Sequence, residues 1–126
     1  MPKKIIKTDK APAAVGPYSQ GIYSNGFIFT SGQLPMDPKT GKLIEGTIGE
    51  KTELILNNIS SILSSEGSSM NHIVKCTIFL TDMSKFTEVN KAYGNFFSEN
   101  PPARSCIEVK GLPLGAEIEI EAVAVK

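Results

Sequence analysis

Tryptophan is absent from the 126 residues, histidine occurs once and cysteine twice. Each scarcity removes a class of chemistry. A single histidine, His72, excludes two-histidine acid–base cleavage of RNA within one chain. His72 with Cys76 supplies two ligands, too few for a zinc site. The two cysteines, Cys76 and Cys106, form no Cys-x-x-Cys pair, and the chain is not a small disulfide scaffold. They read as free thiols in a reducing compartment. Net charge is missing too, because Lys+Arg and Asp+Glu both number 13. Nucleic-acid binding draws most of its affinity from a basic excess, so RNA or DNA is not the expected main partner. No apolar run is long enough for a signal peptide or a membrane span. The expected compartment is the cytosol, with an organelle matrix left open. A Gly-rich phosphate loop is also lacking; Thr30-Ser31-Gly32-Gln33 is too short to count.

What remains is an ordinary globular composition, 40% hydrophobic and 21% charged, of a length that suits one domain, residues 1–126. Ser24-Asn25-Gly26 between two apolar runs, Gln20–Tyr23 and Phe27–Ser31, is a hairpin signal, since Asn and Gly both tolerate positive φ. Residues 33–46 carry two prolines and two glycines and read as a loop. Thr47–Glu66 follows as a helix. Thr47 and Glu50 have capping-box spacing, and Ile48, Thr52, Ile55, Leu56, Ile59, Ile62 and Leu63 make one apolar stripe. His72–Leu80 reads as a buried strand and Lys85–Phe97 as a second helix. Ala103–Val109 and Glu117–Val125 read as the last two strands. The expected architecture is α+β: a single mixed sheet with two helices on one face.

Two helices cannot cover both faces, so the uncovered one is where a site is sought. Strand alternation puts Arg104, Cys106 and Glu108 on one face of their strand. Glu117, Glu119 and Glu121 share a face with Val123 and Val125. Ile118, Ile120, Ala122 and Ala124 would pack under the helices. The expectation is that Arg104 and Glu119 lie together on the helix-free face. That face mixes carboxylates with valines and a cysteine, which suits either a subunit interface holding a polar pocket or an amphipathic solvent-facing strand. Arg104 presents a rigid donor fork that matches a carboxylate at two points; the alternative is a structural ion pair with Glu119 or Glu121. Glu119, in a row of like charges, is a candidate proton carrier or an ion-pair partner. Asn90 flanks the apolar stripe of the second helix, either touching ligand or pinning backbone. Tyr18, after Gly16-Pro17, closes a pocket or plugs a gap. Cys106 has no local base to make it a nucleophile.

Several segments carry a resemblance that composition does not. They are Ala11-Pro12-Ala13-Ala14-Val15-Gly16-Pro17-Tyr18-Ser19-Gln20-Gly21, Thr30-Ser31-Gly32-Gln33, Pro102-Ala103-Arg104-Ser105-Cys106, and Leu112-Pro113 followed by Glu117-Ile118-Glu119-Ile120-Glu121-Ala122. In this order they closely resemble the Rid (YjgF-like) family, nearly end to end. The resemblance implies a chorismate-mutase-like fold, a homotrimer, and clefts between neighbouring subunits. It implies a hydrolase without a cofactor, deaminating 2-aminoacrylate, 2-aminocrotonate and their imines to 2-keto acids and ammonia. Arg104 would hold the substrate carboxylate, the backbone at Cys106 would contact the nitrogen region, and Glu119 would position water. Tyr18, Ser31 and Asn90 would line or support the cleft. The competing functions are a single-stranded RNA endoribonuclease that inhibits translation, and a non-catalytic trimer that binds small carboxylates or holds unfolded clients.

Overall fold

A computed structural model describes residues 2–126. Six strands form one sheet in the order β1-β2-β3-β6-β4-β5: β1 Lys4–Ile6, β2 Gly21–Ser24, β3 Phe27–Thr30, β4 Ile73–Leu80, β5 Ala103–Glu108 and β6 Ile118–Val125. All pairings are antiparallel except β4 with β5. Two helices, α1 Ile48–Ser64 and α2 Phe86–Gly94, pack on one face. No helix among the described residues is long and apolar enough to cross a membrane.

Local chemistry accounts for these elements. Asn25 and Gly26 take φ of 51° and 88° and turn β2 into β3, the conformation that favours Asn-Gly in a two-residue hairpin. Thr47 Oγ1 accepts from the Glu50 N–H while Glu50 Oε1 accepts from the Thr47 N–H, closing the capping box. Its effect is to satisfy two donors that would otherwise be unpaired at the start of α1. The stripe Ile48, Thr52, Ile55, Leu56, Ile59, Ile62 and Leu63 is buried as its spacing predicts. It meets Ile28, Ile78, Ile118, Ile120 and Ala124 from the sheet. The second helix is shorter than the apolar pattern suggests. It ends at Gly94, and the turn beyond it brings Phe96 and Phe97 back onto the core. Strand β1 was not foreseen; three residues carry too little alternation to stand out. The order of hairpin, helix, strand, helix and two strands is otherwise as read.

Glu117 departs from the expected row of carboxylates. It precedes β6 and turns to the helix side, where it accepts from Lys51 Nζ of α1 at 2.6 Å and Lys85 Nζ at 2.5 Å. These two lysines hold its pKa down at about 2, against the cost of burial. The ordinary value is about 4.5. A lowered folded-state pKa adds stability that is present above the unfolded value and lost as pH falls through the folded one. With roughly a third of the side chain exposed, solvent screening cuts the contribution to about 1 kcal/mol. Glu117→Gln is therefore expected to unfold at lower urea concentration than wild type at pH 7. The gap should close between about pH 4.5 and pH 2.

Candidate functional site

Strand register decides which side chains can meet. In β5, Arg104 pairs with Cys76 of β4 and Cys106 with Ile78. Both partners are fully buried beneath the helices. Residues directly opposite in a sheet point to the same face, so Arg104, Cys106 and Glu108 lie on the helix side. Glu119 pairs with Phe79, and Phe79 with Ile107, which puts Glu119 on the open side. The expectation that Arg104 and Glu119 share the helix-free face is thus wrong. They sit on opposite faces, two strands and three residues apart, about 14 Å between Cα atoms from strand spacing and rise. Arg104 forms no ion pair with Glu119 or Glu121; the salt bridges among the described residues use Glu66 and Glu117.

Arg104 is held by α2. Its guanidinium carbon lies 4.9 Å from the centre of the Tyr93 ring and 5.4 Å from that of Phe86, within cation–π range. Its Nη1 donates to Asn90 Oδ1 at 2.7 Å. Phe86, Asn90 and Tyr93 stand at i, i+4 and i+7, one face of the helix. The arginine is fixed by two rings and one amide, and keeps further N–H donors for a ligand. Next to it, Asn90, Tyr93, Phe97, Pro101 and Pro102 border a hollow of about 430 Å³. Asn90 thus holds the arginine rather than pinning backbone. Cys106 is half-buried two residues along the strand. Burial raises its thiol pKa more than Arg104 lowers it, so the sulfur is held as a thiol.

The second cluster lies between β3 and β6. From Phe29–Val123 to Gln33–Ile120, four steps of one chain face three of the other. The extra residue falls at Ser31-Gly32. Thr30 Oγ1 bridges the gap by accepting from the Ala122 N–H at 3.0 Å, and the Gln33 N–H returns to the Ile120 carbonyl at 2.8 Å. A bulge of this kind re-aims side chains. Ser31 Oγ donates to the Ser19 carbonyl at 2.5 Å, which ties the bulge to the loop carrying Tyr18. Gln20, buried, anchors that loop in turn. Its amide donates to the carbonyls of Thr8, Ala11 and Pro12 and its oxygen accepts from the Thr8 N–H. Sequence reasoning missed Gln20, although a glutamine between a proline-rich loop and a strand is a usable signal. Tyr18, Ser31, Gly32 and Glu119 border one cavity of about 430 Å³. Burial first, then Glu121, raises the Glu119 pKa.

One chain thus carries two clusters, a caged cation on the helix side and a carboxyl of raised pKa on the open side. Neither holds three groups suited to a metal; no such cluster occurs among the described residues. The family described as Endoribonuclease L-PSP matches residues 8–126. The chain belongs to this family, which includes the Rid and YjgF proteins. A RutC family protein of Pyrococcus abyssi is 45% identical over 126 residues, covering 100% of this chain and 99% of the relative. The 2-iminobutanoate/2-iminopropanoate deaminase of Bos taurus is 44% identical, over 98% of this chain and 90% of its own. The crystal structure of E. coli TdcF with bound serine superposes with a TM-score of 0.93 at 40% identity, over 98% of each chain. The α+β fold of the L-PSP family is that of this chain.

Within this L-PSP fold, Gly32 leaves the room that the Glu119 carboxylate occupies. Its φ lies outside the left-handed region, but a Cβ there would overlap the Glu119 carboxylate. Gly32→Ala is expected to keep the fold and push Glu119 toward solvent. Carboxyl NMR should show Glu119 titrating above the ordinary carboxylate range in wild type and lower in the variant. An unchanged titration would mean that the close approach does not seat Glu119.

Proposed function

We propose that the protein is a hydrolytic deaminase of reactive imines and enamines derived from 2-amino acids. The site lies between copies of the chain in a homotrimer: Arg104 of one copy faces Tyr18, Ser31 and Glu119 of the next. The observation that carries this reading is the caged, unpaired Arg104 guanidinium on one face and the unpaired, raised Glu119 carboxyl on the other. No small molecule reaches both on one chain, so a complete site needs a second copy. The open sheet face, with Phe27, Phe29 and Ile107 each more than 40% exposed, offers apolar area for such association. The deaminase of Bos taurus and the serine bound to TdcF support a small amino-acid-like ligand.

The chemistry asks little of the protein. An imine R–C(=NH)–COO⁻ and water give R–C(=O)–COO⁻ and ammonia. Arg104 holds the carboxylate at two points. Glu119 takes one proton as the water oxygen bonds to the imine carbon and passes it to nitrogen, giving the carbinolamine; it then relays the hydroxyl proton to nitrogen as the C–N bond breaks, so that C=O forms and ammonia leaves. An enamine first takes a proton at carbon and loses one from nitrogen, so it enters as the imine. Orientation and one proton carrier suffice, and no step calls on a cofactor. Glu119 must be ionised to accept from water. Its raised pKa therefore brings the acid limb of the rate profile up toward neutrality, with activity falling as pH drops through it.

The test is keto-acid release from 2-aminocrotonate made in situ by threonine dehydratase. Arg104→Ala and Arg104→Lys should each lose roughly a hundredfold in kcat/KM, about 3 kcal/mol of transition-state binding. Lysine fails because it lacks the fork. Repurified protein that cleaves single-stranded RNA and leaves the imine untouched would favour the endoribonuclease reading.

The shared cleft makes a second prediction. Arg104→Ala and Glu119→Gln alone should each retain little activity, yet trimers assembled from an equal mixture should recover about a quarter of the wild-type rate, the share of clefts in which both intact residues meet. No recovery would place both residues in one subunit's site.

A further inference from the structure

The cavity at Glu119 is larger and more apolar than a three-carbon imine requires. Val15, Leu34, Met36, Pro113 and Leu114 line it beside Glu119, around a half-open hollow of about 430 Å³. Two of these, Val15 at 85% and Leu114 at 71%, are the most exposed large apolar residues of the described chain. Leu114 also carries a backbone cost. Its φ and ψ are 59° and 18°, the left-handed region that a residue with a Cβ rarely adopts. The loop is built around that conformation. Pro113 precedes it, Gly115 follows with φ of 73°, and the Gly115 N–H closes back on the Leu112 carbonyl. A glycine would take the Leu114 backbone without strain. Within its own chain the leucine packs into no core, because most of its surface is bare. Strain together with exposure, at the rim of a cavity that holds a proton carrier, is the pattern expected of a residue kept for a ligand.

We infer that Leu114 is a specificity-determining residue, and that the cavity takes the side chain of branched or unbranched aliphatic imino acids of five or six carbons. This rests on the deaminase reading above. With the carboxylate on Arg104 of the neighbouring copy and the imine carbon at Glu119, the substituent on that carbon points along the Val15–Leu34–Met36–Leu114 wall. No charged side chain other than Glu119 lines this cavity, so an acidic or basic substituent would lose its water without finding a partner.

The experiment compares imines made in situ by an L-amino-acid oxidase from alanine and from leucine, reading keto-acid release against buffer. Wild type is expected to show a kcat/KM roughly tenfold or more in favour of the leucine-derived imine, the scale that added methylenes supply in an apolar pocket. Leu114→Gly should collapse that ratio toward unity, with a melting temperature equal to or above wild type. Leu114→Asn, whose side chain tolerates the same backbone, should collapse it as well. Equal kcat/KM for the two imines in wild type, or a ratio untouched by both substitutions, would overturn the inference alone. A lower melting temperature for Leu114→Gly with the ratio intact would do the same, marking Leu114 as structural. No acceleration of either imine would overturn the deaminase reading itself, and this inference with it.

Discussion

The parallel pairing of β5 with β4 is the constraint on which the rest depends. It sets Arg104 opposite Cys76, and Cys76 is fully buried under the helices. A short side chain at position 104 would simply join that core. Arginine is long, and β5 is the sheet edge, so its head passes over α2 and comes to rest on Tyr93 and Phe86. The antiparallel pairing of β6 on the other side of β4 gives Glu119 the opposite face. One sheet therefore keeps a cation and a carboxyl apart although both belong to its central and edge strands. Had they met within one chain, they would have formed an ion pair, and each would have lost the capacity to act on anything else. Separation leaves the guanidinium with free donors and the carboxyl with a pKa raised by burial rather than lowered by a cation.

Much of this fold was legible in the residues. Capping at Thr47 and Glu50, the Asn25-Gly26 turn and the stripe along α1 are local signals, each decided by a few neighbours in sequence. The burial of Ile118, Ile120, Ala122 and Ala124 was legible too, because alternation within one strand needs no tertiary knowledge. The relative face of Arg104 and Glu119 was not. It depends on the register between three strands, and a shift of one residue inverts every side chain. The composition of the β5 face misled in addition. Carboxylates, valines and a cysteine placed on one shared face suit either a subunit interface or an amphipathic solvent-facing strand, whereas Arg104 and Cys106 in fact stand on the α2 side, apart from Glu119. Glu117 escaped for a related reason. It stands one residue outside β6, where strand alternation no longer governs, and two lysines from other elements claim it.

The supports of the candidate site are as specific as the side chains that face the ligand. Ser31 and Gly32 occupy the extra residue of a bulge, which is what lets the chain approach Glu119 so closely. Gln20 has little direct access to any ligand, being 3% exposed, yet four hydrogen bonds make it the post around which residues 8–12 fold. The Tyr18 loop leans on that post through Ser19 and Ser31. These residues lie inside the segments that resemble the Rid family, so the resemblance there is explained by backbone geometry as much as by chemistry.

The carboxylate hold and proton relay proposed for this site would call on Arg104, its aromatic seat and Glu119, and leave the substituent of the substrate to the rim. There Pro113, Leu114 and Gly115, in the loop before β6, are exposed. Leu114 shows the consequence in energetic terms. A backbone conformation that costs free energy persists only when surrounding structure enforces it or when the side chain contributes something in return. The surrounding loop tolerates the conformation but would tolerate glycine better, so folding alone does not account for leucine. As a specificity-determining residue it would complete a hollow whose other walls are already apolar and which a bare backbone would leave open to water beside Glu119.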